Sequence, residues 1–143
     1  MSQGVMFHHF HGGKHIKSLG SIGKDQFKKI LNYLKKKYNL LPAKIFLNKA
    51  INKKLKLNDI CLTFDDNLKS QFDIAFPILK KENLTAFFFI YSSVFDKKFN
   101  LMELFRDFSS RNFKSINDFY NLFFLTFRKV YKKKFVKYEK NYN

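Results

Sequence analysis

The chain has no tryptophan, a single cysteine and few acidic residues: 11 Asp and Glu stand against 28 Lys and Arg in 143 residues. The lone cysteine, Cys61, excludes an intramolecular disulfide. It lies inside an apolar run, where a buried, inert thiol is expected. No segment reaches the ~18 apolar residues of a membrane span. Met1-Ser2-Gln3-Gly4 has no charged n-region and no long apolar stretch follows, so no secretory signal is visible. The expected location is therefore cytoplasmic. No internal repeat and no second domain is apparent.

What is abundant is phenylalanine, 20 residues, and lysine, which carries nearly all of a net charge of +17. An apolar fraction of 45% is that of a globular protein. The charge raises the reading of a basic nucleic-acid-binding protein. Only Arg106, Arg111 and Arg128 are arginines, however, and a phosphate-reading surface more often uses Arg. Lys, Asn, Phe and Ile are common together and share A/T-rich codons, which accounts for the charge through base composition.

The organising stretch runs from Asp59 to Tyr91. A short apolar run, Ile60-Cys61-Leu62-Thr63-Phe64, ends in two adjacent carboxylates, Asp65 and Asp66. Phe72, Ala75, Phe76 and Leu79 then follow at the spacing of one helix face. A second apolar run spans Ala86 to Tyr91. Strand, helix and strand in about 30 residues predict a βαβ unit. Neither strand alternates, as expected of parallel strands covered on both faces. The acidic pair falls at the carboxyl end of such a strand, where α/β folds place their chemistry. Read from the residues alone, Asp-Asp-Asn after a strand also suits a turn or a helix N-cap.

Leu62-Thr63-Phe64-Asp65-Asp66, then Pro77-Ile78-Leu79-Lys80, then Leu84 to Ile90 resembles the first motif region of the polysaccharide deacetylases, the NodB-like family. The resemblance covers most of the first ~90 residues. It implies a distorted β/α barrel and a metal-dependent deacetylase, a hydrolase acting on carbon–nitrogen bonds other than peptide bonds. The implied cofactor is a divalent metal, usually zinc. The implied roles are catalytic base for Asp65 and metal ligand for Asp66. The chain departs from the family in three respects. No histidine follows His15, so the family's downstream pair of histidines is absent; the later barrel motifs, with their catalytic His, are absent too; and Asn67 stands where a Gly commonly follows the acidic pair. A closed barrel usually needs about 200 residues or more. The expected fold is thus α/β: a partial, truncated β/α barrel with parallel strands, flanking helices and a helical C-terminal part. Residues 1–143 are expected to form one such domain, incomplete at its C-terminus.

The remaining elements follow in order. Val5–His9 predicts a first strand running into His8, His9, His11 and His15, all on the rim of Asp65 and Asp66 if the strands are parallel neighbours. These four are candidate rim or metal-site residues; His11 and His15 have the spacing of a helical metal pair, but Gly12-Gly13 opposes a helix. A helix is expected over Lys24–Lys37, with Phe27, Ile30, Leu31, Leu34 and Tyr38 as its apolar stripe. A second runs from Ala43 to about Leu55, with Ile45, Phe46, Ala50 and Ile51 inward. Pro77 should kink or restart the helix after the acidic pair. Leu101, Leu104, Phe105 and Phe108 predict one later helix and Ser115 to Lys134 another, the latter apolar nearly all round and so in need of cover. The tail Lys132-Lys133-Lys134, Lys137 and Lys140 reads as a solvated basic end. Ser92 and Ser93 lack a recognisable His-Asp partner arrangement, which argues against a serine hydrolase.

These readings favour a deacetylase-like protein acting on an acylated carbohydrate in surface-polysaccharide metabolism, expected to bind metal poorly and to be weakly active or inactive as this chain alone, because one matched ligand is fewer than the three of a catalytic zinc site. The alternatives are a non-catalytic sugar-binding protein, a split-gene subunit needing a complementing chain or a homo-oligomer, and the nucleic-acid-binding protein.

Overall fold

The computed structural model describes residues 3–142, with side chains described over residues 3–131. It divides into a unit ending at Leu101 and a second from Met102 onward. The first unit is built around strand β5 (Asp59–Phe64), in which every residue but Thr63 is buried. On one side β5 pairs in parallel with β1 (Gln3–Phe7), in the register Val5 to Leu62 and Phe7 to Phe64. Its other side is shared by two short strands. At its start it pairs in parallel with β4 (Asn39–Leu40), and at its end with β6 (Phe87–Phe88). Two further segments, β2 (Phe10–His11) and β3 (Ile22–Gly23), form a separate parallel pair. The sheet is open, with parallel strands and flanking helices, which is the partial α/β fold expected.

Helix α1 (Lys24–Lys37) begins where the Gly23 N–H donates to the Gln26 side chain at 2.8 Å. Asp25 in its first turn and three lysines in its last suit the helix dipole. It buries Phe27, Leu31 and Leu34 against the sheet. Phe27 is the hub: its ring meets Phe7, Phe10 and Phe64 edge-on, with centroids 5.0, 5.1 and 6.1 Å away. Phe64 in turn stacks on Phe88 at 4.6 Å. Edge-to-face pairs of this kind add to the burial term. Tyr38, expected on the same stripe, is exposed, since the chain leaves the helix there for β4.

Helix α2 (Ala43–Ile51) is shorter than expected and buries only Ala43. Ile45, Ala50 and Ile51, read as inward, are exposed. The periodicity is genuine, but α2 is held by its ends rather than by its apolar face: Thr85 accepts its Ala43 N–H at 3.0 Å, and Lys49 in its last turn reaches Asp59.

The segment after β5 also differs. Gln71–Ala75 forms a π-helical turn and α3 (Phe76–Lys81) follows. The Phe76 N–H reaches back to the Gln71 carbonyl, and the helix restarts at the residue before Pro77, as the missing proline N–H leads one to expect. The buried face is Gln71, Ala75, Ile78 and Leu79. Phe72 and Phe76, assigned to that face from their apolarity, are 62% and 42% exposed. The rotation brings in Gln71, whose amide has work to do in the interior. Strand β6 is only two residues long, and Phe89 and Ile90 beyond it are exposed rather than covered on both faces. No strand pairs with its outer side among the described residues. A 3-10 turn, Ser92–Asp96, follows.

The second unit contains most of α4 (Leu101–Asn112) and all of α5 (Ile116–Tyr142), the latter kinked at Tyr131. Phe119 is its buried centre, with the rings of Phe105, Phe108 and Phe113 set edge-on around it. Leu122, Phe123, Phe124 and Leu125 are exposed. The side chains of the basic tail from Lys132 to Lys140 lie outside the described residues. No helix among the described residues is long and apolar enough to cross a membrane.

The start of β5 is pinned by a buried charge. Asp59 accepts from the Lys56 N–H at 3.0 Å, Asn39 Nδ2 at 2.6 Å and Lys49 Nζ at 3.0 Å. These donors, the Lys56 N–H foremost and then Asn39, hold its carboxyl well below the ordinary 3.8, at about 2. The folded-state value is the depressed one, so the stabilisation is complete above pH ~4 and is lost as pH falls through ~2. Asp59→Asn should lower the urea midpoint at pH 7. It should also flatten the loss of stability between pH ~4 and ~2, measured by urea melts across that range. An unchanged midpoint would show that the pin contributes nothing.

Candidate functional site

Because β1 and β5 are parallel and Phe7 faces Phe64, the residues after them leave the sheet at the same rim. The Asp65 N–H donates to the Phe7 carbonyl at 3.2 Å, which carries the ladder one step further. His8 and Asp65 are thereby held side by side as backbone. Beyond them the chain turns sharply. Asp66 and Asn67 have φ of 66° and 50°, in the left-handed region. Asp and Asn tolerate that region better than other residues with a Cβ. Asn67 thus meets, less comfortably, the conformational demand that glycine satisfies without cost.

The turn brings Asp66 back toward β1. His8 Nε2 lies 3.0 Å from Asp66 Oδ2, both side chains partly exposed. Asn100 Nδ2 approaches the same oxygen at 3.3 Å. The His9 ring lies against that of His8, with centroids 3.9 Å apart. Asp65 is half-buried, and its carboxylate makes no hydrogen bond or ion pair to any described residue. The two neighbouring carboxylates are therefore in different situations: Asp66 is engaged by a histidine and an amide, and Asp65 is open.

Gln71 holds this arrangement together. It is fully buried, and its Nε2 donates to the His8 carbonyl at 2.7 Å and the Asp65 carbonyl at 2.6 Å. Its Oε1 accepts from the Leu68 N–H at 3.2 Å. One amide thus ties the ends of both strands and the intervening loop. The residues alone offered one signal for it, a polar side chain at the helical spacing of Ala75 and Ile78. Asn100 gave none.

His11 and His15 go elsewhere. His11 Nδ1 lies 3.0 Å from Ser21 Oγ, and His15 Nε2 lies 2.9 Å from Asp73 Oδ2. A two-residue turn, Gly13-Lys14, closed by paired backbone hydrogen bonds between Gly12 and His15, separates them and prevents a helical pair. Gly13 has φ of 58° at the first central position, which suits glycine. Asp73 is also 3.5 Å from both Lys14 Nζ and Lys69 Nζ. Its carboxyl is held below the usual range, first by His15 and then by these lysines. Cys61 is buried, and burial pushes its thiol up, away from reactivity.

The donor set can be tested against a metal. Two ligands on one tetrahedral ion, with bonds of about 2.0–2.1 Å, lie a little over 3 Å apart. The 3.0 Å between His8 Nε2 and Asp66 Oδ2 is close to that spacing. A ligand atom of His9 lies within 4.8 Å of one of His8. His8 and Asp66 are thus the pair that could share a divalent ion here, with His9 beside His8.

Among solved structures, the chain is similar to a de-N-acetylase from Aggregatibacter actinomycetemcomitans, with a TM-score of 0.53 and 23% identity over 69% of this chain. The match spans 40% of that protein's length. The likeness shows a deacetylase-like fold. No protein-family model and no curated protein matches the chain.

Two substitutions probe the rim. Gln71→Leu leaves two strand-end carbonyls without their buried donor, at roughly 1–3 kcal/mol each. It should destabilise the fold by about 2–5 kcal/mol in urea melts and shift the His8 ring resonances, whereas a mutation elsewhere in the core should not move those resonances. Asn67→Gly should raise stability by up to about 1 kcal/mol, by removing left-handed strain. A loss of stability on Asn67→Gly would mean that the Asn side chain matters more than its backbone.

Proposed function

We propose that this chain is a polysaccharide-deacetylase-like protein of the NodB type that hydrolyses acetyl groups from an acylated sugar in surface-polysaccharide metabolism, in the cytoplasm. The observation that carries the reading is the His8–Asp66 contact of 3.0 Å beside an open Asp65, at the carboxyl ends of two parallel strands in a deacetylase-like fold. It gives Asp66 a histidine partner from upstream, in a chain with no histidine after His15.

In this reading Asp66 and His8 would hold the metal, with His9 beside them, zinc by family resemblance. When bound, zinc lowers the pKa of a water ligand toward ~7 and polarises the acyl carbonyl. Asp65, uncommitted and adjacent, takes the proton of the attacking water. The water oxygen bonds to the acyl carbon, the carbon–nitrogen bond breaks, and the proton passes to the leaving amine. Asn100 and Gln71 act by position: one orients the Asp66 carboxylate, the other the backbone that carries His8 and Asp65. Exposed Phe89 and Ile90 beside β6 favour a second reading, in which a complementing chain or a second copy covers this edge and the chain binds sugar without turning it over.

The test is a zinc titration by calorimetry, with acetate release followed on N-acetylated sugars. Asp66→Asn should weaken zinc by more than about a hundredfold, since even groups outside the ligand set are worth 10–100-fold. Asp65→Asn should leave zinc binding intact and abolish acetate release. Zinc binding indifferent to Asp66→Asn would overturn the assignment. Zinc binding without acetate release would support the second reading.

A further inference from the structure

A second feature of the first unit lies outside this arrangement. Between the Gly12–His15 turn and the π-helical segment runs a groove of about 630 Å³. That volume is within the range of small-molecule sites, about 300–1,000 Å³. Its wall is apolar: Phe72 and Phe76 stack on each other with centroids 5.4 Å apart and planes within 11°, and both rings are exposed. They form a flat shelf that nothing in the unit covers. Its rim is cationic. Lys14 and Lys24 both line the groove, and Lys24 has no carboxylate partner within 4 Å among the described residues. The one lining carboxylate, Asp73, is already shared by His15, Lys14 and Lys69, so it does not repel an incoming anion.

A flat apolar shelf suits the C–H face of a sugar ring, which meets the negative face of an aromatic ring favourably. The ammonium group of Lys24, and that of Lys14, which shares Asp73 with Lys69 and His15, suit a phosphate or carboxylate. A nucleic-acid strand would instead need a track of successive stacking platforms, and the groove offers one. We propose that this groove binds a pyranose carrying a negative charge, its ring on Phe72 and Phe76 and its anionic group toward Lys14 and Lys24. The proposal rests on the carbohydrate reading above and narrows it to acidic sugars.

The test titrates the full chain, without metal, with glucose 6-phosphate, glucuronate, glucose and a short oligothymidylate, by calorimetry and amide chemical shifts. At least one acidic sugar should saturate with shifts around Phe72 and Lys14, and glucose should bind at least ~tenfold more weakly. The phosphate and carboxylate arms identify which anion is read. Lys14→Gln and Lys24→Gln should each weaken the acidic sugar by roughly tenfold, the size of one hydrogen bond to a charged group, and leave glucose unchanged. Phe72→Ala should weaken both. These side chains are exposed, so melting temperatures should hold and confirm folded variants. No saturation by either acidic sugar, affinity indifferent to both lysine variants, or binding of oligothymidylate alone would overturn the proposal. Because no metal is present and no turnover is followed, failure of acetate release would sink the deacetylase reading without touching this result, and the converse also holds.

Discussion

Strand ends are the difficult part of a parallel sheet. Within the ladder β5 pairs along one side with β1 and at its two ends with β4 and β6. Where the strands stop, the carbonyls of half-buried His8 and Asp65 need donors from elsewhere, and leaving them unsatisfied is costly. Gln71 supplies both hydrogen bonds from one amide. To do so it must point inward, which sets the rotation of the following helix and places Phe72 and Phe76 outside. The same constraint brings His8 and Asp65 level, and the left-handed turn at Asp66 and Asn67 then returns a carboxylate to the histidine. The candidate site is the consequence of closing two parallel strands with one buried side chain.

The two ends of β5 use carboxylates in opposite ways. Asp59 is buried with three donors and is held at about pKa 2, so it stays charged and fixed while the fold persists. It joins β4, α2 and the preceding turn to the strand. At the other end Asp66 has a histidine and an amide, both partly open to water, and the Asp65 carboxylate has no partner among the described residues. A fully satisfied carboxylate is a fastener, and a partly satisfied one retains lone pairs for a ligand. This contrast, more than the acidic pair in itself, separates the rim from an ordinary turn.

Much of this was legible in the residues. The β5 run, its acidic end, the α1 stripe and the parallel arrangement all follow from apolar periodicity, because burial on a helix or strand repeats at a fixed interval. The approach of the early histidines to the acidic pair follows from two parallel strands ending at one rim. Other features were out of reach. Phe72 and Phe76 were assigned to the interior because they are apolar, whereas hydrogen-bond satisfaction at Gln71 decided the phase. The inward assignment of Ile45, Ala50 and Ile51 in α2 failed because periodicity shows that a helix has an apolar face, not that anything covers it. β6 is short for the same reason: a continuous apolar run fits a covered strand, and this one lies at an open edge. The His11–His15 spacing suggested a metal pair only on a helix, and the glycine turn between them removes the helix.

The π-helical turn couples the rim to the groove. Five residues place Gln71 under the strand ends, Phe72 on the shelf and Asp73 beside His15. An α-helical turn restarted at Pro77 would set the proline ring against the carbonyl four residues earlier, that of Asp73. The wider π turn precedes that proline, and within it the Asp73 carboxylate meets His15. Because the segment is a single backbone unit, a side chain that seats on Phe72 bears on the same five residues that carry Gln71. Movement of the turn toward regular α geometry would cost the strand-end hydrogen bonds at once. The groove and the rim are therefore tied through one short segment rather than through a chain of side-chain contacts, and that makes the π turn the place where a bound sugar would be felt at His8 and Asp65.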